Sequence, residues 1–187
     1  MSSLAPMLAA IHYEQGEDVS AVLAAAIARL RSGGAEIGGL LQQPETPGSA
    51  RCRTLDLMDL RTGERARITQ DRGIESRGCK LDEQGLLSMA HCIESAIADA
   101  VDLIVVSRFG RAEAAGHGLL ASCADVVCAE IPLLTAVRDP YVGRWREFHG
   151  GLAAEIPCSA QAVVDWFEAI HRAPRHRKQS VHAEPAE

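Results

Sequence analysis

The run Asp102-Leu103-Ile104-Val105-Val106-Ser107 constrains the fold more than any other stretch of the chain. Apolar residues without alternation, closed off by polar ends, make a strand buried on both faces. Such a strand lies inside a parallel sheet with helices above and below. Nearby segments supply those layers. Met7 to Tyr13 predicts a first buried strand, and Asp18 to Leu30 places apolar residues at 19, 22, 23, 26, 27 and 30, one helical face. Asp18 is the expected N-cap and Gly33-Gly34 the stop. Ile37 to Leu41 predicts the next strand. A β-loop-α-β opening of this kind implies a parallel crossover.

The middle of the chain reads differently. Arg51 to Leu60 and Arg65 to Gln70 alternate polar and apolar residues around Arg61-Thr62-Gly63-Glu64, which predicts an inserted hairpin. Gln70 to Lys80 is polar and predicts a long loop. Leu81 to Asp99 predicts an amphipathic helix capped near Asp82, and Leu119 to Cys128 another. Ile131 to Val137 predicts a strand, Tyr141 to Gly150 a loop and Ser159 to His171 a final helix. The expected fold class is therefore α/β: three layers, one domain over residues 1–171, a mostly parallel sheet and an inserted β-hairpin. Residues 172–187 read as a polar, flexible tail.

Composition narrows the partners. Lys and Arg number 19 against 25 Asp and Glu, a net charge of −6, which disfavours general binding to nucleic acid or anionic membrane. The start MSSLAPMLAAIHYEQ lacks the features of a signal peptide, and no apolar run reaches the roughly 18 residues of a membrane span. A cytoplasmic protein without membrane insertion is expected. Six cysteines occur with no C-x-x-C pair, so most are expected as buried thiols. Cys79, between Arg77-Gly78 and Lys80, is the exception.

Ligands of open α/β sheets bind beyond the C-terminal ends of the strands. Two loops stand there. The first, His12 to Ser20, occupies the place of a phosphate loop. Of the pattern G-x-x-x-x-G-K-[ST] it keeps only Ser20 and an internal Gly16; Tyr13 and Asp18 fall on the glycines, and Val19 on the lysine. Glu14, Glu17 and Asp18 would repel a polyphosphate. The second loop, Ser107-Arg108-Phe109-Gly110-Arg111, has no metal-organising Asp, so magnesium-dependent hydrolysis is disfavoured. It offers guanidinium groups instead, and Arg72, Arg77 and Lys80 can approach from the long loop. Guanidinium forks and glycines suit oxyanions, though the same residues would also serve as solvated loop charges. Glu113 and His117 are the candidate general acid or base. No metal site is expected. Arg144-Trp145-Arg146-Glu147-Phe148 suits base stacking or, better, packing on the final helix.

Five blocks carry a family resemblance: Tyr13-Glu14-Gln15-Gly16, Gly38-Gly39-Leu40-Leu41-Gln42, Gln70-Asp71-Arg72-Gly73, Arg77-Gly78-Cys79-Lys80-Leu81-Asp82 and Arg108-Phe109-Gly110-Arg111-Ala112-Glu113. From about Met7 to Ile170 the chain resembles an uncharacterised bacterial family of small proteins often associated with molybdate-transport genes. That family is similar in layout to P-loop nucleoside triphosphatases. The resemblance implies a P-loop-like fold and makes molybdate, tungstate or a nucleotide the expected ligand.

Three functions follow as expectations. The first is a non-hydrolysing oxyanion- or nucleotide-binding protein in molybdenum handling or its regulation. Its ligand residues would be Tyr13, Gly16, Ser20, Arg72, Arg77, Gly78, Cys79, Lys80, Arg108, Phe109, Gly110 and Arg111. The second is an atypical nucleoside-triphosphatase, with Arg77, Lys80 or Arg111 replacing the missing lysine and Glu113 orienting water. The third is an interaction module without a ligand. The partner is expected to be a small anion, and a homo-oligomer is compatible with each reading.

Overall fold

The computed structural model of the chain describes residues 5–43, 56–70, 80–81 and 83–172. It opens with β1 (Leu8–His12), α1 (Val19–Ser32) and β2 (Ile37–Gln42), the expected β-loop-α-β unit. The hairpin follows as β3 (Asp56–Asp59) and β4 (Arg65–Arg67). Then come β5 (Thr69–Gln70), β6 (Lys80–Leu81), α2 (Glu83–Ser88), α3 (Ala90–Ala98) and β7 (Leu103–Val106). The last part holds α4 (Arg111–Ala114), α5 (Leu120–Cys128), β8 (Leu133–Val137), α6 (Val142–His149), β9 (Ala153–Pro157) and α7 (Ala160–Arg172).

Seven strands form one sheet in the order β4-β3-β2-β7-β8-β1-β9, and β5 pairs with β6 separately. The run from β2 to β9 is parallel, whereas β3 and β4 extend the β2 edge antiparallel. The α/β class, the mostly parallel sheet and the inserted hairpin are all present. As the unbroken apolar run requires, β7 is buried on both faces. Ile104 and Val106 meet Ile93, Val126 and Trp145 from α3, α5 and α6. Leu103 and Val105 join the cluster holding Val19 and Leu23 of α1 and Val163 and Phe167 of α7. Asp18 caps α1 as expected, its carboxylate accepting the Ala21 N–H at 3.0 Å.

Three elements correct the sequence reading. The helix expected over 81–99 is two helices, broken at Met89, where the Ser88 hydroxyl donates back to the Gly85 carbonyl at 2.8 Å. Tyr141 to Gly150 is a helix rather than a loop: Val142, Trp145 and His149 lie on one buried face, and Gly150 ends it in a left-handed conformation. The edge strand β9 was not expected and runs parallel to β1, with Leu8 opposite Ala153. Of the tail expected over 172–187, Arg172 instead closes α7, and residues 173–187 lie outside the described residues.

Cysteine placement is mixed. Cys92 and Cys123 are buried free thiols, Cys158 is half-buried and Cys128 exposed. Cys52 and Cys79 lie outside the described residues.

His149 ties α6 to β9. Its Nδ1 accepts the N–H groups of Gly151 at 3.1 Å and Ala153 at 3.3 Å, so the neutral ring carries its proton on Nε2. Burial pushes its pKa below the ordinary value, as does Arg146, while Glu155 opposes the shift. The unfolded chain therefore takes up this proton first as pH falls. Stability is full above the unfolded value of about 6.5 and declines below it. Urea unfolding at pH 7 and pH 5 should show this decline. A His149→Phe variant should be weaker at pH 7, having lost the acceptor, and should lose less on going to pH 5.

Candidate functional site

β7, β8 and β1 are neighbours and parallel, so the residues that follow them emerge side by side. Arg108 follows Ser107 at the end of β7, Arg138 follows β8 and Tyr13 follows β1. Backbone bonds fix the exits: Tyr13 N–H donates to the Val137 carbonyl at 3.2 Å, and Phe109 N–H to that of Ala136 at 2.9 Å.

The side chains converge on the Tyr13 ring. The Arg108 guanidinium carbon lies 5.6 Å from the ring centroid and that of Arg138 lies 5.8 Å away. Tyr13 itself is buried. Arg108 also donates to the Ser20 hydroxyl at 3.3 Å, joining the second strand-end loop to the start of α1. Its Nε is buried and has no hydrogen-bond partner among the described residues. A buried guanidinium donor left unpaired carries a desolvation cost that an incoming acceptor would remove.

The loop from β1 to α1 is closed on itself. Glu17 accepts the Glu14 N–H at 2.5 Å, and Glu17 N–H donates to the Glu14 carbonyl at 3.3 Å. Gly16, at φ +103°, makes the turn. The Asp18 carboxylate occupies the amide of Ala21. Amides that cradle phosphate in a working phosphate loop are here bonded by the chain's own carboxylates. Beyond β7, the hydroxyl of buried Ser107 accepts the Gln42 N–H at 2.9 Å. These groups do not fit a magnesium polyphosphate. Among the described residues no group of three His, Cys, Asp or Glu side chains is placed to hold a metal ion.

The sequence-predicted residues divide accordingly. Tyr13, Ser20 and Arg108 come together. Gly16 is exposed in the closed loop, and Arg111 is exposed at the start of α4. Gly110 donates its N–H to Glu113 at 3.0 Å. Phe109 is corrected from ligand contact to core, since it is buried with its ring 5.3 Å from that of Trp145. Glu113 is corrected as well. It is buried, and its second oxygen accepts the Leu119 N–H at 3.1 Å, so its carboxylate fastens the α4 loop rather than facing a substrate. Burial, with the Glu113 charge beside it, pushes the Cys123 thiol up to about 12. His117 is exposed. Arg72, Arg77, Gly78 and Cys79 lie outside the described residues, and only the strand position of Lys80 is described.

Arg138 was missed by sequence reasoning. Its signal was the one that singled out Arg108: a cation immediately after a fully buried parallel strand.

Comparisons with known proteins agree with this architecture. A family profile described as "Protein of unknown function (DUF2478)" matches residues 8–166. The chain is 37% identical over 160 residues to the molybdenum import ATP-binding protein ModC 2 of Bradyrhizobium diazoefficiens. That match covers 86% of this chain and 18% of the relative, so the chain spans under one fifth of the relative's length. Its fold is similar to the solution structure of a human cancer-related nucleoside triphosphatase, with a TM-score of 0.66 at 12% identity. The likeness covers 89% of this chain and 98% of the other.

Proposed function

Since the chain belongs to the DUF2478 family, whose matched region carries this strand-end cluster, we propose that it is a non-hydrolysing binding protein for an oxyanion or a nucleotide, acting in molybdenum handling. One observation carries the reading: Arg108 reaches Ser20 and the Tyr13 ring while its buried Nε lacks a partner. A buried guanidinium donor without a partner favours an anionic acceptor. The molybdenum import ATP-binding protein that shares 37% identity supports the molybdenum context. The engagement of Glu113 with two backbone amides favours binding without hydrolysis, because the carboxylate expected to orient water is already held by the backbone.

A thermal-shift screen against ATP, GTP, phosphate, sulfate, molybdate and tungstate, each with and without magnesium, tests this. Ligand at 100 times its Kd stabilises by about 2.7 kcal/mol, well within detection. At least one anion should raise the unfolding midpoint without need of magnesium. Arg108→Ala should weaken that anion by about 1.5–3 kcal/mol, the range for a hydrogen bond to a charged group. A flat response to the whole panel would leave an interaction module as the better description.

A further inference from the structure

We propose that the site is selective for a compact, single-centred oxyanion, or one terminal phosphoryl group, and that Glu17 and Asp18 make it so by excluding polyphosphates. This inference rests on the anion-binding reading above. Two independent features support it. Among the described residues attraction is found at the strand ends, where Arg108 and Arg138 each approach the Tyr13 ring and the buried Arg108 Nε awaits an acceptor. Repulsion lies along the loop that a second and third phosphate would have to follow, with Glu14, Glu17 and Asp18 all exposed there.

The loop geometry sharpens the argument. The Glu14 amide is bonded by the Glu17 carboxylate and the Ala21 amide by that of Asp18. A diphosphate would have to displace both carboxylates and then lie beside their charge. A tetrahedral anion held at Arg108 and Arg138 displaces neither. Cys158 senses the same field: burial raises its thiol pKa, and the charges of Glu17 and Asp18 raise it further. The repulsion grows with ligand charge and is felt in the partly desolvated site more than in bulk water.

Isothermal titration of the full chain with phosphate, sulfate, molybdate and AMP, against pyrophosphate and ATP without magnesium, decides the matter. At least one of the first four should bind 10-fold or more tightly than either polyphosphate. AMP matching or exceeding free phosphate would identify the acceptor as the phosphoryl group of a mononucleotide; phosphate, sulfate or molybdate exceeding AMP would identify a free oxyanion. The double variant Glu17→Gln, Asp18→Asn keeps an acceptor oxygen at each amide while removing both charges. It should narrow the ratio at least 10-fold, chiefly through tighter pyrophosphate. Glu17→Gln alone, at an exposed position, provides the same test with less risk to the α1 cap. Preference of the parent for pyrophosphate or ATP, or an unchanged ratio in these variants, would overturn the inference and leave an anion site standing. No binding by any of the six would overturn the anion-site reading itself.

Discussion

Replacing Trp145 by Ala will destabilise the fold by about 3–5 kcal/mol, the range for removing a buried aromatic side chain. Trp145 has no exposed surface. Its ring lies 5.3 Å from Phe109, 5.8 Å from Phe148 and 5.1 Å from His149. The cavity left behind faces a sheet whose strands are fixed by pairing on both sides, so collapse around it is limited. Phe109 then loses its edge-on contact, and Phe109 is the residue that anchors Arg108 at the end of β7. Trp145→Phe separates packing from polarity. The indole Nε1 is buried without a partner among the described residues, so losing that N–H breaks no hydrogen bond. Urea unfolding should give a large loss for Ala and a much smaller one for Phe. An Ala variant within about 1 kcal/mol of the parent would show that the α6 layer is not an essential part of the core.

The same residue shows where the sequence was legible. That Trp145 fills core could be read from its type, but the expected packing on the final helix is corrected: its ring meets Phe109, Phe148 and His149, while α7 packs in the other cluster. That Trp145 sits on a helix could not be read, because Arg144, Arg146 and Glu147 gave the segment the look of a loop. Positions 142, 145 and 149 held the helical period, but two of those residues were a histidine and a single valine. The strands were easier: β1, β2, β7 and β8 are apolar runs, and a run buried on both faces needs no context to be recognised. β9 escaped because an edge strand is half-exposed and its pattern is weak. Loops follow a different logic. Arg108, Tyr13 and Ser20 come together because they adjoin legible strands or the legible start of α1. Glu113 and Phe109 looked functional for the same reason, but loop direction decided otherwise. The turn after α4 brings the Leu119 amide back to Glu113, and no periodicity in the sequence encodes that return.

Changing Gly39 to Ala is expected to cost about 4 kcal/mol or more, among the largest effects a single substitution produces. Gly39 lies within β2 directly opposite Val105 of β7, with φ at +101°. A Cβ there would come within 2.8 Å of the Val105 nitrogen and nearer still to its carbonyl oxygen. These are backbone atoms of a central strand, which cannot swing aside as a side-chain tip can, and the positive φ adds strain of its own. The neighbouring Gly38 is nearly as confined, its Cβ position lying 2.5 Å from that of Ala96 on α3. Together the pair sets how closely α3 lies on β2 and β2 on β7. The site inherits that spacing, because Ser107 N–H donates to the Leu40 carbonyl at 3.0 Å just before Arg108. At roughly 2–4 °C per kcal/mol for a domain of this size, the midpoint should fall by about 8–16 °C. Gly143→Ala is the control, since its added Cβ meets nothing within 4 Å. A Gly39→Ala midpoint indistinguishable from that of the control would mean that β2 can part from β7 at this point without loss, and that the close approach of the two strands does not position Arg108.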